Sequence, residues 1–345
     1  MEWWAQRSLA ARLIAIATVS SLVALAGCTA TPVPSQMHLV KTVGLGGPDH
    51  WDYLTVDPDS HRVFIAHGTE VTVVAGQAGD VVGRVDGLGA THGIALVRRL
   101  ARGDVANDAR ATAFDLTGLG RLAEVPTDAG ADAAVYDSAS DRVFVANGKA
   151  GTLTAIDPAK NIVAGTIALL GKPEFAVVDG AGKLFVNIED KREIARIDTV
   201  TLTIDARWPI PDCEDPHGLS IDVDSRRLFA SCVNALMLVV DADTGSVVAH
   251  LPIGRGSDAT AFDPVRKRIY SSNGDGTLSI YGIADADYYV DQGTVATAPG
   301  ARTMAVDSAT GRVFLVTADI DPAAPSGPRP HFLPGTVKLL LMDPP

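Results

Sequence analysis

One short unit recurs along this chain and limits its folding more than any other feature. It consists of an apolar strand ending in Asp, a tight turn, a basic residue and a second apolar strand. It reads LTVDPDSHRVFIAHG, AVYDSASDRVFVANG, AVVDGAGKLFVNIED, SIDVDSRRLFASC, TAFDPVRKRIYSSNG and MAVDSATGRVFLVTA. The marker aspartates are Asp57, Asp137, Asp179, Asp222, Asp263 and Asp307, separated by 80, 42, 43, 41 and 44 residues. The first gap is double. It hides a unit in HGIALVRRLARGDVANDARATAFDL, where Val97 takes the Asp position. A mean interval of about 42 residues is the four-strand blade period of a β-propeller. Seven units predict an all-β fold of seven four-stranded blades.

Two more strands follow within each unit. GTLTAID with NIVAGTIAL, and GTLSIYGI after SSNGDG, alternate apolar and polar residues between Gly- and Asp-rich turns. No stretch beyond the first 28 residues shows sustained helical periodicity, and a β-sandwich does not repeat one signature seven times. The last unit has strands at 302–307 and 312–317, a Pro-rich excursion over 319–334 and a third strand at 336–342, and there it lacks a fourth. Residues 38–45 (HLVKTVGL), followed by GGPDHWDYL, match the fourth-strand pattern of NIVAGTIALLGKPEFAV. The N-terminal strand is therefore expected to complete the last blade, which leaves no open edge.

With 47% hydrophobic residues in 345, the chain has ample material for one large domain. Lys and Arg number 29 against 41 Asp and Glu, a net charge of −12. That balance excludes a broad phosphate-neutralising face for duplex DNA and argues against a basic single-strand groove. GxSxG, HExxH, CxxC, the P-loop and the dinucleotide fingerprint are all missing from the sequence. Asp241-Ala-Asp243-Thr-Gly245 and Asn273-Gly-Asp-Gly276 lack the full calcium-loop series and read as hairpin turns. Arg98, Arg99 and Arg102 form the one arginine concentration, expected to be solvated.

Residues 1–27 read as a targeting segment, with Arg7 and Arg12 ahead of an apolar stretch that ends in Leu25-Ala26-Gly27-Cys28. This resembles the bacterial lipoprotein signal, which implies cleavage before Cys28 and acylation of its thiol. Residues 28–36 then serve as acylated Cys and linker, and 37–345 as a single propeller domain. The expected location is the bacterial cell envelope, lipid-anchored and facing the periplasm or outside. Cys213 and Cys232 remain, an even pair that in an oxidising compartment reads as a disulfide. The hairpin reading brings them together, at the entry to one strand and the end of its antiparallel partner.

The repeats themselves resemble the bacterial YVTN/YncE-type seven-bladed propellers across nearly all of residues 38–343. GKPEFAVVDGAGKLFVNIED, LFASC, SNGDGTLSI and GARTMAVD carry the likeness. The resemblance implies fold and export but no reaction. Blade two departs furthest, with Val-Arg-Arg-Leu in place of the Asp turn.

Five residues before each marker stand Asp52, Asp132, Glu174, His217, Asp258 and Arg302, and the same count from Val97 gives His92. All seven are ionisable in a chain that is 20% charged. In a propeller the residue just before the innermost strand lies at the mouth of the central channel, so these side chains are expected to converge. Several carboxylates then crowd together, and a cation, retained protons or water must relieve them. The ends of the second strands bring His67, Asn147, Glu189 and Asn273 to the same face, with His50 and Trp51 beside Asp52. Oxygen donors suit Ca²⁺ and imidazoles suit Mn²⁺ or Zn²⁺. An acidic mouth holding only water remains open at this point, and Trp51 and Tyr53 read as packing or as a stacking floor.

The leading functional expectation is a lipid-anchored, monomeric binding or protein-interaction module that takes a small ligand or an envelope protein at this mouth. The alternative is a metal-dependent hydrolase, lactonase- or esterase-like, using the same acidic and His ring.

Overall fold

The computed structural model describes residues 37–324 and 330–345. The expected signal, Cys28 and the linker lie outside the described residues. No described helix is long and apolar enough to cross a membrane.

Seven four-stranded antiparallel sheets follow one another in chain order. Blades one to six span residues 54–85, 91–126, 131–168, 173–209, 216–252 and 257–296. The first strands of neighbouring blades contact one another, so they line the channel. Blade seven comprises Thr303–Asp307, Arg312–Thr317 and Lys338–Asp343, and His38–Gly44 pairs with the last of these as its outermost strand. The ring closes as the repeat predicted. Blade two is regular as well. Its missing Asp turn is a single 3₁₀ turn, Arg98–Leu100, ended by Ala101 in the left-handed region at φ 50°, and its outer strand Arg121–Pro126 is fully paired.

The repeat encodes the rim opposite the mouth. Each marker Asp closes its turn through a carboxylate oxygen: Asp263 Oδ1, for instance, accepts from the Val265 and Arg266 amides at 2.9 and 3.1 Å. The last turn residue is left-handed in every blade, as with His61 and Gly311 at φ 55° and 79°. The basic residue that follows then reaches the next blade. Arg62 donates to Leu116 O, Arg102 to Pro158 O, Arg142 to Thr199 O and Arg312 to Gly76 O, at 2.6–3.0 Å. In blade four this position is Lys183, which pairs within its own blade, and Arg196 makes the reach to Asp243 O instead. Of the blade-two arginines, Arg102 belongs to this clamp, while Arg98 and Arg99 are exposed as expected and pair with Asp59 and Asp141. Arg102 is buried against Asp104 and is not solvated.

Between blades the second strands contribute Phe64, Phe144, Phe185, Phe229, Tyr270 and Phe314, all 1% exposed or less. Blade two has Asp104 there, preceded by Gly103 where the other blades carry Val, Leu or Ile. Phe114, from the neighbouring strand, fills the vacancy so closely that a Cβ on Gly103 would lie 2.3 Å from its ring. The disulfide between Cys213 and Cys232 is formed, with Cα atoms 5.2 Å apart. It ties the loop entering blade five to the end of that blade's second strand.

Candidate functional site at the channel mouth

The seven counted positions converge on one mouth, but their backbone setting differs from expectation. In blades two to six they are the second residue of the innermost strand, not the residue before it. In each of these strands the register with the second strand slips at this point, as between Thr91 and Ile94 or Pro216 and Leu219. A bulge re-aims the side chain that a regular pleat would turn into the sheet. That is how one position in every blade comes to face the axis.

Around the ring, acid–His–acid occurs twice on consecutive blades. Asp52, His92 and Asp132 place one donor atom each within 4.8 Å of one another, and so do Glu174, His217 and Asp258. His92 Nδ1 lies 2.6 Å from Asp52 Oδ2 and 3.9 Å from Asp132 Oδ1. His217 Nδ1 lies 2.6 Å from Asp258 Oδ1. Arg302, from blade seven, approaches Asp258 Oδ2 at 3.2 Å through Nε. The second triad is the deeper one, its side chains 6–13% exposed against 22–36% for the first.

Lys172 and Glu189 complete the rim beside Glu174. The Lys172 ammonium pairs with Glu189 and stands 3.2 Å from Glu174 Oε2. The sequence reading missed Lys172. It lies two residues before Glu174, in the loop just ahead of the strand Pro173–Val178.

A floor lies directly beneath the ring. The residues following the ring positions are Tyr53, Gly93, Ala133, Phe175, Gly218, Ala259 and Thr303. Tyr53 and Phe175, from blades one and four, meet edge to face with centroids 4.8 Å apart. Gly93 and Gly218 in this layer let the backbone of the next blade approach closely. A Cβ on Gly93 would lie 2.3 Å from the Ala134 amide nitrogen, and one on Gly218 2.6 Å from that of Thr260. The mouth is therefore a cup with two aromatic rings across its base.

Other top-face residues have structural partners. His67 is fully buried, bonded to Pro48 O at 2.7 Å and Thr72 Oγ1 at 2.9 Å. Asn147 and Asn273, both buried, donate to Thr152 and Thr154 and to Thr277 and Ser279 within their own blades. Trp51 packs on Phe332 of the blade-seven excursion at 4.9 Å, while His50 is exposed beside it. These side chains frame the cup; Glu189 is the member of the set that joins it.

Electrostatics in the cup run against ionisation. Burial raises Asp52, with the His92 hydrogen bond opposing. It raises Asp132 much further, helped by the charges of Asp52 and Glu174. Glu174 is pushed up to about 7, by burial first and by Asp258, against the pull of His217 and Lys172. Burial works against the charged forms of His92 and His217, yet Asp52 and Asp258 outweigh it and raise both. The Tyr53 hydroxyl is held well above its usual range by burial and by the carboxylates overhead. Near neutrality the cup retains protons on groups that are natural ligands for a cation.

No protein-family model matches the chain, and no curated protein matches it. Among solved structures it is similar to a chain titled Kuenenia stuttgartiensis Hydrazine Synthase, with a TM-score of 0.68 and 15% identity. The match covers 83% of this chain and 95% of that one. At that identity the likeness concerns the fold alone. Fold and site together define a seven-bladed β-propeller with a floored, acidic and histidine-bearing mouth.

Proposed function

We propose that this chain is an exported, lipid-anchored propeller of the YVTN/YncE type that acts as a binding module, with a divalent cation as the primary occupant of its cup. One observation carries the reading: acid, imidazole and acid converge twice on consecutive blades, with donor atoms within 4.8 Å. Carboxylates with nitrogen donors suit Mn²⁺ or Zn²⁺, and Ca²⁺ is served by the oxygens alone. The floor under the ring supports binding from one side rather than passage through a pore. A small ligand or an envelope protein would meet the ion from the open side.

The test is elemental analysis of the purified domain, followed by melting in Ca²⁺, Mn²⁺ and Zn²⁺, with Glu174→Ala as control. An ion at a hundred times its Kd stabilises the fold by about 2.7 kcal/mol. A protein that purifies without metal and melts unchanged in all three ions ends this reading.

A second reading, a metal-dependent esterase or lactonase, draws support from Glu174. A carboxyl held near 7 beside His217 suits proton transfer at neutral pH. Hydrolysis of simple esters and lactones by the metal-loaded protein, lost in Glu174→Gln, would establish it, and no turnover across both panels would dismiss it.

A further inference from the structure

Two ring carboxylates are already engaged in orienting donors. Asp52 accepts from His92 Nδ1 at 2.6 Å, and Asp258 accepts from His217 Nδ1 at 2.6 Å. Asp258 also holds Arg302 through Nε at 3.2 Å. Among the described residues, Nε2 of His92, Nε2 of His217 and the two terminal nitrogens of Arg302 meet no acceptor. The hydroxyl of Tyr53, a residue 5% exposed, makes no hydrogen bond among them either. It stays protonated, because burial and the surrounding carboxylates oppose its ionisation.

Arg302 is the most accessible member of the ring. Its side chain is 40% exposed, against 6–36% for the other six. It precedes the innermost strand Thr303–Asp307 instead of lying within it. Its backbone is fixed on both sides: the amide donates to Gly300 O at 2.9 Å, and the carbonyl accepts from the buried Ser272 hydroxyl. A guanidinium held at Nε with its outer edge unused is a preformed fork for a carboxylate.

Unfilled groups that are all donors call for a ligand that brings acceptors. We propose that the cup captures a small monocarboxylate, which docks on the Arg302 fork beside His217, the ring that shares Asp258 with it. This names the ligand class of the binding-module reading above and does not require the divalent ion. An ion held by the imidazoles would itself take an anionic oxygen from the open side. Burial favours protonated Asp132 and Glu174, which leaves room for one negative charge, whereas a second would meet the ionised carboxylates of the ring.

Titration calorimetry of the full chain with lactate and benzoate, after chelation and dialysis and again with Mn²⁺, tests it. Lactamide and benzamide are the neutral counterparts. Either carboxylate is expected to bind about tenfold or more tighter than its amide, and inorganic phosphate more weakly. Arg302→Gln is expected to weaken carboxylate binding by about tenfold or more, and Arg302→Lys to recover part of the loss. Thermal melts establish that both variants are folded. The assignment is overturned if neither carboxylate outbinds its amide, if Arg302→Gln binds as the wild type does, or if phosphate binds tightest. Carboxylate binding by a chain that takes up no ion keeps this site and removes the divalent cation; Mn²⁺ uptake without carboxylate binding does the reverse.

Discussion

The two rims of the disc are made from the same repeat and have opposite chemistry. On the clamped rim the marker Asp takes backbone amides, and in most blades the basic residue after it bonds the next blade. Three carboxylates there are held below their usual range, Asp198 by turn amides and Lys183, Asp157 by Lys160 and turn amides, and Asp343 by Arg312. At the mouth Asp52, Asp132 and Glu174 are pushed upward, by burial first and by neighbouring carboxylates, while Glu189 is lowered by Lys172 against its burial. The clamped rim has settled its charges within the fold. The mouth has not, and unsettled charge in a concave site marks function rather than stability.

The contrast predicts which changes unfold the protein and which do not. The largest effect belongs to closure. Removing residues 38–44 strips the outer strand from blade seven and should abolish the cooperative unfolding transition, seen by calorimetry, whereas no single mouth substitution should do so. Next is Arg102→Ala on the clamped rim. It leaves Asp104, fully buried, without its guanidinium, and a cost of about 3–5 kcal/mol in denaturant titrations is expected.

The pH dependence is smaller and comes from the mouth. Glu174 keeps its proton to about 7 in the folded chain, against 4.5 for an ordinary Glu. The folded state therefore binds more protons across that window, and stability falls as pH rises through it, by on the order of 3 kcal/mol. Glu174→Gln should flatten this slope. Asp157, Asp198 and Asp343 on the clamped rim have the opposite sign: their stabilisation is present above the ordinary Asp value and is lost as pH falls below it.

The smallest change sharpens the comparison most. Asp132→Asn removes a crowded charge and should raise the melting stability of the metal-free protein by about 1 kcal/mol, in keeping with sites that give up stability for function. A loss of comparable size would place Asp132 with the structural acids instead.

Blade number, closure, the disulfide and the convergence of seven ionisable positions were all legible in the sequence, because the repeat fixes what is equivalent to what. Their pairing was not. That His92 leans on Asp52 while His217 leans on Asp258 depends on rotamers, which no spacing encodes. The bulge was hidden for a similar reason: one extra residue in a strand leaves the 42-residue period unchanged. Tyr53 and Phe175 meet across an axis, from blades far apart in the chain, so no local pattern links them. The arginines were visible, but their acceptors are backbone carbonyls, which carry no side-chain signature.

The direction of the closing strand has a further consequence. His38 pairs opposite Asp343 and Gly44 opposite Lys338, so the described chain enters the disc at the clamped rim and travels toward the mouth.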